Sequence, residues 1–170
     1  MGKLINQLLV LAKLDEVQEK SEKQEADLKL LLEETTRPFE EVATQKKVTL
    51  KLHLEEGVTI RVNREQIAQL VSILTENAAK YVNDGGKIVW HLTKTQHGAV
   101  LVVKNTTEKE IPDTKRMFDR FYRSDSSRSS KTGGQGIGLS IAKKIVDSHK
   151  GSITAKAGDG MVTFRVSLPK

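Results

Sequence analysis

Gly133-Gly134-Gln135-Gly136-Ile137-Gly138-Leu139, the glycine cluster at residues 133–139, stands directly before a stretch with helical periodicity. Its glycines Gly134, Gly136 and Gly138 would let backbone N–H groups approach an anion closely, and the helix that follows adds the positive end of its dipole. A serine-rich stretch rather than a strand precedes the cluster, and no Gly-Lys-Ser/Thr follows it, so neither a dinucleotide fold nor a P-loop is predicted. From these residues alone, an anion site and a flexible connector remain open.

The aromatic segment, residues 117–123 (MFDRFYR), lies upstream of the glycine cluster. Phe118, Phe121 and Tyr122 are half of the six Phe and Tyr residues in the chain, and they lie within an otherwise polar stretch. Such aromatic side chains would hold a loop against the core, while Arg123 would reach a phosphate group. The alternative is a small anchoring cluster without a ligand.

The asparagine segment, residues 73–81 (ILTENAAKY), lies near the end of a predicted amphipathic helix. Asn77, Lys80 and Tyr81 fall within about one helical turn, so their side chains can point towards one pocket. An amide oxygen is a hard ligand that suits Mg²⁺, and a lysine one turn away can reach phosphate oxygens. The alternative is a solvated helix end with a polar fringe.

Periodicity along the rest of the chain predicts a two-layer α/β sandwich, in which helices cover one face of a mixed, mostly antiparallel sheet. The strands at 48–54 and 58–62 are expected to pair with each other. The stretch from about 106 to 135 is too long for an ordinary connection, so we predict a mobile lid there. Helices are predicted at about 3–23 and 28–45, after Asn63 and after the glycine cluster up to Gly151, and further strands at 87–95, 99–103, 152–157 and 161–168.

The composition favours one folded domain with an appendage. The chain has 170 residues, of which 37% are hydrophobic and 29% charged, and it has no cysteine. The longest apolar runs, residues 8–12 and 99–103, are far shorter than the ~20 residues of a membrane-spanning helix. No signal peptide is recognised, and because the chain has no cysteine a reducing, cytoplasmic setting is expected.

The formal net charge of +6 raises the question of a nucleic-acid partner. No basic helix, zinc-finger spacing or RNA-binding aromatic motif supports one, so no nucleic-acid partner is expected. Basic residues are concentrated between Lys115 and Lys131, and a compact polyanion such as a nucleotide would suit that stretch.

Together, the three segments resemble the boxes of the HATPase domain of bacterial sensor histidine kinases, a branch of the GHKL superfamily that includes gyrase, the Hsp90 chaperones and MutL. Residues 73–81 are similar to its Asn-containing box, 117–123 to its phenylalanine box and 133–139 to its second glycine box. His149-Lys150-Gly151 lies where the family usually has His-x-Gly. The resemblance covers residues 28–170 and implies the Bergerat ATP-binding fold for that domain.

The resemblance also implies a role for each matching residue. Asn77 would coordinate Mg²⁺ between the ATP phosphates, and Lys80 would contact phosphate. Arg123 would approach the γ-phosphate during transfer, which makes Lys80 and Arg123 the candidate catalytic residues. The other residues implied to bind ATP are Tyr81, Asn105, Phe118, Phe121, Gly134, Gly136, Gly138 and Leu139.

The chain departs from the family at the first glycine box. Where the family has an Asp that binds the adenine amino group, this chain has Asn105, and the glycines that normally follow are missing. A neutral acceptor forms a weaker hydrogen bond than an ionised one, by about 1 kcal/mol. We therefore predict weak but measurable ATP binding. Ile73 likewise stands where many relatives have a second Asn.

The phosphoacceptor histidine of the family precedes an acidic residue, and no histidine of this chain does. No autophosphorylation of the isolated chain is therefore expected. Residues 4–14 resemble the second helix of the dimerisation hairpin, so residues 1–27 are interpreted as that helix with a linker, and homodimerisation through 4–14 is expected.

By the same resemblance, the partners would be an upstream domain that carries the phosphoacceptor histidine and the receiver domain of a response regulator. Segments outside this chain would anchor the parent protein in the membrane. The alternative function is a degenerate module of the same superfamily that binds nucleotide or a partner without phosphotransfer.

Overall fold

The computed structural model describes residues 2–16, 22–108, 113–122 and 136–170. The elements in chain order are α1 (Gly2–Glu16), β1 (Gln24–Asp27), α2 (Leu28–Gln45), β2 (Thr49–Leu54), β3 (Thr59–Val62), α3 (Arg64–Tyr81), β4 (Lys87–Thr95), β5 (Gly98–Thr106), α4 (Gly138–Ser148), β6 (Ser152–Gly158) and β7 (Met161–Pro169). None of the helices in these four ranges is both long enough and apolar enough to span a bilayer.

The main sheet has five strands in the order β2-β4-β5-β7-β6. β2 and β4 are parallel, and the other neighbours are antiparallel. Helices α2, α3 and α4 pack against one face, and the core between the two layers includes the fully buried Trp90 and Phe164. The predicted two-layer sandwich with a mixed, mostly antiparallel sheet is therefore confirmed.

The predicted pairing of residues 48–54 with 58–62 is wrong. β3 pairs with β1 in a separate two-stranded antiparallel sheet, and residues 24–27 had been expected in a linker. The alternation in β3 correctly indicated that Val58, Ile60 and Val62 are buried. However, alternation determines which side chains face the core and not which strand lies alongside. The N–H of Leu28 donates to the carbonyl of Val58 at 3.0 Å, which holds β3 beside the start of α2.

Side chains cap the N-termini of the two longest helices. The Asp27 carboxylate accepts hydrogen bonds from the N–H groups of Lys29 and Leu30 at the start of α2. Asn63 caps α3, as predicted, by accepting from the N–H of Gln66 at 2.9 Å. α2 continues through Pro38 to its predicted end at Gln45.

The sequence predicted that Gly151 ends α4, but the residue with the left-handed conformation at this helix end is Lys150. Lys150, with φ 56°, takes the left-handed conformation that a helix end requires. The N–H of Gly151 donates to the carbonyl of Val146 at 3.0 Å and completes the cap. A Cβ on Gly151 would lie 2.3 Å from the carbonyl oxygen of Ser167, so glycine is needed there for close packing on β7.

Candidate functional site

The asparagine segment forms the C-terminal half of α3. Asn77, Lys80 and Tyr81 are half-buried, and the Lys80 ammonium lies 5.1 Å from the centre of the Tyr81 ring. Two polar side chains that are one turn apart and neither fully buried nor fully solvated can bind a ligand at the helix end. The predicted grouping of these residues on the last turns of the helix is confirmed.

A buried hydrogen-bond pair fixes α3 on the sheet just before Asn77. The Thr75 hydroxyl donates to the carbonyl of Val71 at 2.7 Å and accepts from the indole N–H of Trp90 on β4 at 3.2 Å. Both Thr75 and Trp90 are fully buried. Because each buried polar group is paired, the contact holds the helix at a defined height on the sheet. Sequence reasoning missed Thr75, although a threonine on the apolar face of a helix is a visible signal.

The glycine cluster meets α3 at Ile73. A Cβ on Gly138, at the first position of α4, would lie 3.5 Å from Cγ2 of Ile73, which is ordinary contact distance. Ile73 and Asn77 are four residues apart, so they lie on the same face of α3. The start of α4 and the functional end of α3 therefore lie close together.

The aromatic segment is hydrogen-bonded to the glycine cluster. The N–H of Phe121 donates to the carbonyl of Gly136 at 2.9 Å. Gly136 has φ 71°, and a Cβ there would lie 2.7 Å from the carbonyl oxygen of Tyr122. Glycine is thus required at 136 both by its backbone conformation and by the close approach of the aromatic segment.

The aromatic residues divide into two that anchor and one that does not. Phe118 packs edge-on against Phe164 with ring centres 6.1 Å apart, and the Arg116 guanidinium lies 5.0 Å from the centre of the Tyr122 ring. Phe121 is 62% exposed and has φ 62°, a left-handed conformation that is unusual for a bulky residue. The expectation that all three aromatics hold the loop down is therefore wrong for Phe121.

Asn105 lies on the inner face of the sheet, on the strand that α3 crosses. It is 1% exposed, is paired with Ile88 and Val162 in the sheet register, and its Nδ2 donates to the carbonyl of Thr106 at 3.1 Å. β5 continues to Thr106, beyond the predicted end at Val103. The N–H of Thr107 then donates to the carbonyl of Gly160 at 2.8 Å, so the chain is still held to the β6–β7 turn where the predicted lid would begin.

Of the three remaining candidate residues, one is among the described residues and two are not. Leu139 is half-buried against the core. Arg123 and Gly134 lie outside the described residues, as does most of the predicted lid.

An apolar groove elsewhere, between the ends of α2 and α3 and strands β2 and β4, contains none of the predicted site residues. Its lining residues are Phe39, Val42, Ala43, Lys46, Val48, Leu50, Ala79, Val82 and Ile88.

His149 has a structural position rather than a catalytic one. It is 3% exposed, its Nε2 accepts from the N–H of Asn63 at 3.0 Å, and its Nδ1 donates to the carbonyl of Ile145 at 2.8 Å. Burial lowers the pKa of the imidazole, and the charge of Lys23 acts in the same direction. The neutral ring therefore joins the end of α4 to the cap of α3, the two helices that carry the site.

The chain also matches known proteins over this region. A family model described as "Histidine kinase-, DNA gyrase B-, and HSP90-like ATPase" matches residues 62–170. The chain is 34% identical over 172 aligned positions to the sensor histidine kinase RppB of Synechocystis sp., which covers 99% of this chain and 38% of RppB. It is 38% identical over 120 positions to the sensor protein VanS of Enterococcus faecium, which covers 69% of this chain and 31% of VanS.

Solved structures extend the likeness to the fold. The catalytic domain of histidine kinase ThkA superposes with a TM-score of 0.77 at 27% identity, and the match covers 88% of this chain and 96% of that domain. The chain thus spans most of a solved kinase catalytic domain but less than half of the full-length relatives. These matches show that the chain belongs to the histidine kinase-, DNA gyrase B- and HSP90-like ATPase family, as the ATP-binding catalytic domain of a sensor histidine kinase.

Proposed function

We propose that this chain binds ATP with Mg²⁺ and transfers the γ-phosphate to a histidine on a dimerisation helix of two-component signalling. The observation that carries the proposal is the packing of α4 on α3, in which the start of α4 at Gly138 lies beside Ile73, on the α3 face that holds Asn77. The hydrogen bond from Phe121 to Gly136 adds the aromatic segment, whose last residue is Arg123, to the same region. One triphosphate can then contact all three segments.

Asn77 is the proposed Mg²⁺ ligand. In the part of the chain that the structure describes, no group of three or more His, Cys, Asp or Glu side chains could hold a metal. Mg²⁺ in nucleotide sites is held by one or two protein oxygens together with substrate phosphates and water, and the Asn77 amide supplies one such oxygen. When bound, the ion would neutralise charge on the phosphate oxygens.

The remaining residues bind and orient the nucleotide in this proposal. Lys80 contacts phosphate, and Tyr81 lines the pocket beside it. Asn105 offers its amide oxygen to the adenine amino group, since its Nδ2 donates to the carbonyl of Thr106. Arg123 approaches the γ-phosphate, where a guanidinium stabilises the charge that develops during transfer. Phosphate-facing backbone N–H groups come from Gly134, Gly136 and Gly138, and Phe118, Phe121 and Leu139 border the nucleotide.

The N-terminal helix supports the proposed domain division and homodimer. Ile5, Leu8 and Leu9 are 55%, 43% and 53% exposed on α1, whereas Leu4 and Leu11 pack against the core. The exposed stripe needs an apolar partner, which a second copy would supply through residues 4–14. We propose residues 1–27 as dimerisation helix and linker, and 28–170 as the catalytic domain with its lid at about 106–135.

A response regulator receiver domain is the proposed downstream partner. The similar kinase ThkA was solved in complex with the response regulator protein TrrA. The phosphoacceptor histidine would come from a dimerisation domain outside this chain, in a parent protein anchored in the membrane with this domain in the cytoplasm.

The test is a labelling assay that mixes this chain with a separate dimerisation hairpin carrying the histidine, in the presence of radiolabelled ATP and Mg²⁺. We expect label on the hairpin, lost in Asn77→Ala and retained in Gln96→Ala, an exposed amide on the β4–β5 turn. Asn77→Asp, which keeps an oxygen ligand, should retain part of the activity.

Titration calorimetry with and without Mg²⁺ separates binding from transfer. Binding without labelling would favour a nucleotide-binding module over a kinase. Absence of binding at millimolar ATP would contradict the whole proposal.

A further inference from the structure

The five strands of the main sheet contain no Asp or Glu but six Lys and Arg residues. This number equals the whole formal net charge of +6, so the rest of the chain is balanced. The basic excess therefore lies mainly in the sheet, and not only between residues 115 and 131 as the sequence indicated. The six residues are Lys51, Lys87, Lys94, Lys104, Lys156 and Arg165.

Five of these six side chains lie on the outer face of the sheet, opposite the helices. The buried positions Ile88, Trp90 and Leu92 alternate with outward positions in β4, and the strand register carries the same two faces across the sheet. The outward basic residues are Lys51, Lys87, Lys104, Lys156 and Arg165.

The strand register puts three of the lysines in one row. Lys51 is paired with Val89, Val89 with Lys104, Lys104 with Thr163, and Thr163 with Lys156. Adjacent strands are about 4.8 Å apart, so successive lysines in the row are roughly 10 Å apart. This is about one Debye length at 0.1 M salt, so their fields overlap.

No described element covers this outer face. The contacts of α2, α3 and α4 with the sheet are on the other side, where the core lies. Lys51, Lys87, Lys156 and Arg165 are exposed, and Lys104 is half-buried. None of the ion pairs among the described residues involves them. Uncompensated like charges repel one another, which weakens the fold unless an anionic partner is present.

The chemistry of this face favours a membrane surface over a protein. None of the large hydrophobic side chains exposed in the described residues lies on it. Protein interfaces are enriched in aromatic residues and arginine at their centre and depleted in lysine, whereas this face has four lysines and one arginine. Lysine carries a hydrated point charge that suits diffuse attraction to lipid headgroups.

The same face does not suit a nucleic acid. A duplex is recognised by a helix or ribbon that enters a groove, whereas this face is the open side of a five-stranded sheet. Single strands need aromatic side chains on which bases stack, and the outward positions of the five strands carry none of the Phe, Tyr or Trp residues.

We propose that the outer sheet face, through Lys51, Lys87, Lys104, Lys156 and Arg165, docks electrostatically on the headgroup layer of an anionic membrane. The contact is made by charge without insertion, because the apolar side chains on this face, such as Val89 and Val102, are half-buried between their neighbours. It leaves α3, α4 and the candidate nucleotide site on the side that faces away from the lipid.

The test is sedimentation of the whole chain with phosphatidylglycerol vesicles and with phosphatidylcholine vesicles at 25 mM salt, in the absence of nucleotide. We expect binding only to the phosphatidylglycerol vesicles, lost as salt rises to 300 mM. The triple variant Lys51→Gln/Lys104→Gln/Lys156→Gln should bind roughly 100-fold more weakly, since each juxtamembrane lysine contributes severalfold to the affinity.

A matched control variant distinguishes the effect of charges on the outer sheet face from the effect of the net charge of the chain. Arg37, Lys47 and Lys150 are exposed and lie away from the sheet face, and changing all three to Gln lowers the net charge by the same amount. This control variant should bind within about threefold of the unchanged chain at low salt. Equal losses in the two triple variants would overturn the proposal, because binding would then follow only net charge.

Two other results would also overturn it. One is failure of the unchanged chain to bind phosphatidylglycerol vesicles at 25 mM salt. The other is tighter binding to duplex DNA or to an acidic polypeptide than to the vesicles in the same buffer. Thermal unfolding of each variant checks that a loss of binding does not come from unfolding.

Discussion

Nε2 of His149 accepts a hydrogen bond from the backbone N–H of Asn63 at 3.0 Å, and this bond joins the end of α4 to the start of α3. The other ring nitrogen, Nδ1, donates to the carbonyl of Ile145. Nε2 can accept only when the ring is neutral. Protonation of His149 would therefore remove a link between the two helices that carry the candidate site.

We predict that the domain loses stability on acidification through the titration of His149. Burial lowers the pKa of this imidazole in the folded state, while in the unfolded chain it is about 6.5. The unfolded state therefore binds more protons, and the free energy of unfolding falls as pH drops below about 6.5. The fall ends below the folded-state pKa. Urea unfolding measured between pH 7.5 and 5 tests this.

His149→Ala provides the internal check on that assignment. At pH 7.5 it should destabilise the domain by about 1–3 kcal/mol, because the N–H of Asn63 loses its partner. It should also reduce the pH dependence, and His97→Ala, on the exposed β4–β5 turn, should not. His91, whose pKa is also lowered, first by burial and then by the charges of His53 and Lys104, accounts for a remaining part. An unchanged pH profile in His149→Ala would refute the assignment.

Gly136 and Gly138 should respond differently to alanine. Gly136 has φ 71°, and its Cβ would collide with the carbonyl of Tyr122, so Gly136→Ala should cost at least about 1–2 kcal/mol of stability. A Cβ on Gly138 would make ordinary contact with Ile73, and alanine is the better helix former. Gly138→Ala should therefore keep or raise the melting temperature.

Nucleotide affinity of the same two variants tests the role of the glycine cluster. If the N–H groups near Gly138 bind phosphate, Gly138→Ala should weaken ATP binding although the fold is intact. Thermal melts together with calorimetry distinguish the two effects. Equal melting temperatures for the two variants would contradict the contact between Gly136 and the aromatic segment.

The sequence predicted most of the fold because its helices and strands carry strong local signals. α2 spans the predicted residues 28–45, and the Asn63 cap of α3 is where it was expected. The buried and exposed faces of β3 were predicted correctly, but its partner strand was not. The partner strand depends on which part of the chain returns beside β3 in the folded structure. Register between elements that are distant in sequence is a tertiary property.

The sequence predicted which segments form the candidate site, but it did not predict which residues of these segments contact one another. The identity of Asn77, Gly136 and Gly138 followed from residue chemistry and family resemblance, whereas the contact of Gly138 with Ile73 depends on how α4 crosses α3. Phe121 looked like an anchor because it is aromatic. Its left-handed backbone turns the ring to solvent, and no local pattern indicates this conformation for a phenylalanine.

Valine and threonine have nearly equal volumes, so packing alone predicts little effect of Thr75→Val. We nevertheless expect this substitution to destabilise the domain. The substitution removes the acceptor of the Trp90 indole N–H, and an unpaired buried donor costs about 1–3 kcal/mol. Thr75→Ser, which keeps the hydroxyl, should cost less. Trp90 is the single tryptophan of the chain, so its fluorescence reports directly on this contact. An unfolding midpoint of Thr75→Val equal to that of Thr75→Ser would show that the hydrogen bond contributes nothing.

Asn105→Asp should bind ATP more tightly than the unchanged chain but should be less stable. A carboxylate accepts a stronger hydrogen bond from the adenine amino group than an amide does, so ATP should bind roughly fivefold more tightly. Position 105 is 1% exposed, however, and its side chain now donates to the carbonyl of Thr106. A carboxylate cannot donate this bond, and its charge would be buried next to a carbonyl dipole.

The stability cost of Asn105→Asp should therefore depend on pH. Burial raises the pKa of the introduced carboxyl group above its unfolded value, so the folded state favours the protonated form. The variant should lose stability relative to the unchanged chain as pH rises above about 4. Calorimetry with ATP and Mg²⁺ at pH 7, beside urea unfolding at pH 5 and 7, measures both effects. Unchanged ATP affinity of the variant, with the fold intact, would mean that position 105 does not contact adenine.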